Sequence, residues 1–99
     1  MITGISVKCE AARGTFASEY FVRIAMVNHR LWGGAVDREL VFDLDRDPRE
    51  NEYVNGKMYA YLINFDSESA LIELPIEDST MGRRIFVPAS SIRKEQIPA

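Results

Sequence analysis

The chain has 99 residues, 46% of them apolar and 27% charged, and a net charge of −3. That length suits one hydrophobic core, residues 1–99 forming a single domain. The charge balance excludes both the disordered class and the strong positive field that non-specific binding to nucleic acid or acidic lipid requires.

One cysteine, Cys9, forbids an internal disulfide, so a reducing, cytoplasmic setting is expected. Residues 1–10 lack the basic start and apolar run of an export signal, and no uncharged stretch, residues 58–65 being among the longest, approaches the length needed to span a bilayer. Neither export nor membrane insertion is expected.

Apolar residues recurring at every second position predict an all-β or mainly β fold of about six strands, with helical spacing nearly absent. Ile5, Val7 and Cys9 alternate with Ser6, Lys8 and Glu10, which describes a strand with one dry and one wet face; Gly14 marks the turn after it. Over residues 19–28, Tyr20, Val22, Ile24 and Met26 share one face, while Phe21, Ala25 and Val27 share the other with Arg23. A helix over residues 11–25 competes with that strand, but Gly14, Thr15 and the aromatic and β-branched run 20–24 favour the strand. Gly33 and Gly34 read as a turn, since the lysine and helix of a phosphate cradle do not follow.

In residues 36–45, Leu40, Phe42 and Leu44 alternate with Glu39, Asp43 and Asp45, which predicts a strand with Val41 out of pattern. Residues 46–56 have loop chemistry and read as a mobile segment. Residues 57–65 and 70–74 predict a hairpin about the turn Asp66-Ser67-Glu68-Ser69, closed by Pro75. After a polar loop and Gly82, residues 83–87 form a short strand ended by Pro88, and residues 89–91 a 3₁₀ turn.

This C-terminal order, a hairpin and then Arg83-Arg84-Ile85-Phe86-Val87-Pro88-Ala89-Ser90-Ser91-Ile92, resembles part of an SH3-like barrel. In that superfold a strand ends at a proline, a one-turn 3₁₀ helix follows, and a last short strand re-enters the sheet through an apolar residue. The resemblance covers residues 57–92 and implies a small curled antiparallel barrel. The acidic loop, paired tryptophans and groove tyrosine of a peptide-binding SH3 domain are missing, so architecture alone carries over.

Asp43, Asp45 and Asp47 stand at alternate positions like the start of a calcium loop, but Pro48 and Val54 replace the glycine and bidentate carboxylate that such a loop needs. The three aspartates are more simply a solvated face, and no metal or cofactor is expected. Cys9 and His29 are the only thiol and imidazole; Cys9 shares parity with Ile5 and Val7 and reads as a buried filler, so no catalytic residue is named.

Trp32 at an expected turn, together with Tyr59, Tyr61 and Phe65, supplies candidate interface aromatics, and Arg83 and Arg84 add local positive charge. A Trp32 folded back over the core edge is the competing reading. Residues 57–65 are apolar on both faces, with Met58, Ala60 and Leu62 opposed by Tyr59, Tyr61, Ile63 and Phe65. One interior cannot cover both, so loops folded over the barrel or a second chain must cover the rest, and a homo-oligomer is expected.

The leading expectation is therefore a non-enzymatic protein–protein interaction or adaptor module that self-associates. A small-molecule binder or minor enzyme with a pocket in the barrel or between subunits is the first alternative. A single-strand nucleic-acid binder using the basic C-terminal residues is the second, opposed by the acidic middle of the chain.

Overall fold

The computed structural model describes residues 3–77 and 82–94. Two long strands organise it: β1 (Thr3–Arg13) and β5 (Val54–Phe65) pair antiparallel from Thr3↔Leu62 to Ala11↔Val54. Around them lie β2 (Glu19–Ala25), β3 (Leu31–Asp37), β4 (Val41–Phe42), β6 (Ser69–Glu73), β7 (Arg84–Pro88) and β8 (Ile92–Lys94). Short 3₁₀ turns at Arg38–Leu40 and Ala89–Ser91 lead into β4 and β8.

The path through the sheet is β3-β2-β1-β5-β6-β7, with β4 beside β5 and β8 beside β1. Each long strand is shared. The free edge of β1 takes β8 along residues 5–7 and β2 along residues 10–13, while that of β5 takes β4 at residues 57–58 and β6 at residues 61–65. Two half-sheets therefore meet along β1 and β5, and the right-handed twist of so long a ribbon curls them into a half-barrel. A bulge at Ile63, where Leu62 faces Ile72 and Asn64 faces Leu71, adds local bend.

Alternation places the core as expected on β1, β2 and β5: Ile5, Val7, Cys9, Tyr20, Val22, Ile24, Met58 and Ala60 are buried, joined by Ala70, Ile72, Ile85 and Val87. The hairpin, its turn and the Ala89–Ser91 3₁₀ turn also stand where expected. The polar loop before Gly82 falls partly outside the described residues.

Three expectations are corrected. Gly33 and Gly34 lie inside strand β3, opposite Arg23 and Val22, because Trp32 needs the space that a side chain at Gly34 would fill. The strand expected over residues 36–45 is broken: β3 ends at Asp37, a 3₁₀ turn intervenes, and the left-handed backbone of Asp43 (φ 52°) stops β4 after two residues. Within β4, Val41 is buried opposite Met58 and the half-buried Phe42 stacks on Tyr59, while Leu40 and Leu44 pack against the core as expected. Residues 54–56, expected in a loop, begin β5, and the preceding segment is pinned by the Arg46–Glu52 ion pair at 2.6 Å and by the Pro48 carbonyl, which accepts from Arg13 Nε.

Candidate interaction surface

The half-barrel is drawn together where the β2–β3 hairpin reaches β7. The Val27 N–H donates to the Phe86 carbonyl at 3.1 Å, and Trp32 Nε1 donates to the Gly82 carbonyl at 2.8 Å. Trp32 is thereby fully buried, so it plugs the seam and is withdrawn from the surface candidates. Its indole N–H has a partner, as a buried polar group requires.

The outer side of this seam is apolar. Phe86 is 53% exposed and Val27 41% exposed, and Leu71 lies directly across from Phe86. Phe65, 67% exposed at the end of β5, joins Leu71 and Phe86 around a cleft of about 150 Å³ whose polar end is Asn64, Asp66 and Ser69. On the hairpin side, Leu31 faces Ala25 and is half exposed, and the exposed Val27 lies in the turn between their strands. Phe65, Leu71 and Phe86 thus form an apolar strip at β5, β6 and β7, and the exposed Val27 and Leu31 stand on the hairpin that abuts β7. Isolated exposed apolar residues are ordinary, whereas exposed apolar residues grouped around one cleft make this the candidate surface.

Register sets the other candidates around it. Tyr61, Glu73 and Arg84 form the neighbouring cross-strand row on the same outer face, and Arg84 Nε donates to Glu73 Oε1 at 3.0 Å. Tyr59 lies further along β5, half-buried because Phe42 stacks on it at a centroid distance of 4.4 Å. The chain thus covers part of its own second face. Arg83 has the other parity, and its guanidinium donates to the Ile76 carbonyl.

The structure therefore brings Tyr61 and Arg84 to one exterior face, with Phe65 exposed at the end of β5 on a cleft shared with Phe86, while Trp32 lies in the core. Phe86, Leu71 and Val27 were not singled out from the sequence. The signal was present for Phe86, which alternates with the core residues Ile85 and Val87 and must point outward.

Burial, with the Glu10 carboxylate adding to it, pushes the Cys9 thiol up to about 12, so no thiolate forms near neutrality. His29 is exposed in the β2–β3 turn and Cys9 is buried opposite Gly56. Among the described residues no three histidine, cysteine or acidic side chains converge as metal ligands. Asp43 and Asp45 line a cleft together with Lys8 and Lys57, and Lys57 Nζ lies 3.4 Å from Asp43. A lysine beside the carboxylates already supplies the positive charge a cation would bring.

Comparison with protein-family models, with curated proteins and with solved structures finds no match to this chain.

Proposed function

We propose that this chain is a non-enzymatic protein–protein interaction module that self-associates, working as an adaptor in the cytoplasm on a small barrel of SH3-like type. The observation that carries the reading is the apolar strip beside the seam, where two phenylalanines more than half exposed flank Leu71 on an ordered sheet. Interface centres favour aromatic side chains, and rigid strands hold them at low entropic cost.

The SH3-like assignment rests on the order β7, Pro88, 3₁₀ turn, β8 with Ile92 returning against β1. The cytoplasmic assignment rests on the single, buried, protonated thiol. A single-strand nucleic-acid reading ranks behind, because the Arg84 charge is committed to Glu73 and Tyr59 is already stacked on Phe42.

Light scattering on a gel-filtered sample at tens of micromolar tests the reading. A species heavier than the 11.3 kDa monomer, lost in Phe65→Ser/Phe86→Ser, is expected. A wild-type chain of monomer mass throughout overturns it.

A further inference from the structure

We infer that the cleft between β1, β5 and the segment after β4 binds a small dipolar molecule, its anionic group held by Lys8 and Lys57 and its ammonium group by Asp43 and Asp45. The cleft shares no lining residue with the apolar strip, so this inference and the self-association proposed above stand or fall separately.

Local structure sets the four charges. Lys8 and Lys57 are directly opposite one another in the β1–β5 ladder, an arrangement of like charges that weakens a sheet. On the other wall, Leu44 packs so closely on Gly56 that a Cβ there would lie 2.5 Å from its Cδ2, and Asp43 and Asp45 flank it in the chain. The left-handed backbone of Asp43 follows the end of β4, and the Asp45 N–H donates to the Asn55 carbonyl at 3.0 Å, which ties this wall to β5. The resulting cleft is about 400 Å³, within the roughly 300–1,000 Å³ of small-molecule sites.

These charges do not cancel within the chain. Lys57 Nζ lies 3.4 Å from Asp43, which leaves Lys8 and Asp45. Glu10, two residues along the same face of β1 from Lys8, is paired with Arg23 at 2.9 Å, and Arg46, next to Asp45, is paired with Glu52 at 2.6 Å. Lys8 and Asp45 enter none of the ion pairs among the described residues, yet line one cleft. A bare cation there would face the two lysines, and a bare anion the two aspartates. A ligand carrying both signs gives each group its opposite, and the Asn55 carboxamide in the same lining serves either end.

Calorimetric titration at low salt with the ω-amino acids from β-alanine to 6-aminohexanoate, and with hexanoate and hexylamine as one-charge controls, tests this. The best amino acid is expected to bind about fivefold tighter than either control, the gain that one more exposed charge pair allows. Lys8→Gln is expected to weaken the amino acid about fivefold and leave hexylamine unchanged, while Asp45→Asn weakens the amino acid equally and leaves hexanoate unchanged. Both variants should melt with the wild type, since neither side chain enters an ion pair among the described residues. Controls that bind as well as every amino acid, substitutions that weaken all ligands alike or none, or no saturable binding by any member of the series overturns the inference.

Discussion

A Cβ on Gly34 would lie 2.9 Å from the Trp32 indole, closer than such contacts occur, so the absent side chain is part of how the tryptophan is buried. Gly34→Ala is expected to destabilise by about 1–3 kcal/mol through this crowding. Trp32→Ala is expected to cost about 3–5 kcal/mol in urea unfolding, from the cavity and the loss of the bond to Gly82. Native fluorescence should be blue-shifted and move to the red on unfolding. Cys9 gives a second residue-level test. Its pKa is raised in the fold to about 12 against an unfolded value of about 8.5, so the unfolded chain loses its proton first, and stability should fall as pH rises through and above that unfolded value. Cys9→Ala should flatten that alkaline slope, and a thiol reagent should react with the wild type only as fast as the fold opens. The burial of Cys9 was legible from its parity with Ile5 and Val7. That of Trp32 was not, because its place depends on Gly82, fifty residues away, closing the seam.

At the scale of elements, the β5–β6 hairpin shows how a turn sets register. Asp66 accepts from the Ser69 N–H at 2.9 Å and the Glu68 N–H at 2.8 Å, and these bonds hold its carboxyl below the usual carboxylate range. A carboxylate more acidic in the fold than in the unfolded chain stabilises the fold above its unfolded pKa of about 3.9, and that contribution vanishes as pH falls through the lower folded value. Asp66→Ala should lower the melting temperature at neutral pH and narrow the difference from wild type in strong acid, as read by calorimetry at several pH values. The hairpin was legible because alternation and turn chemistry agree. Residues 36–45 misled because Leu40 and Leu44 do pack against the core, yet reach it through a 3₁₀ turn and the left-handed Asp43 rather than along one strand. Periodicity records which side chains are dry and says nothing of the backbone between them.

For the whole molecule, the two apolar faces of β5 are met in two ways. Phe42 folds onto Tyr59 from within the chain, and the strip of Phe86, Leu71 and Phe65 remains at the surface. A surplus of apolar faces was legible in the sequence; its location was not, since the strip exists only where β5, β6 and β7 pair. Phe86→Ser should change stability by less than about 1 kcal/mol, being an exposed strand position, while reducing association sharply. The most direct measurement is hydroxyl-radical footprinting across a dilution series, with Phe16 as an internal control that is also 67% exposed but lies in the β1–β2 turn. Protection of Phe65 and Phe86 that grows with protein concentration while Phe16 stays reactive is the predicted result. Equal reactivity of all three at every concentration would contradict it.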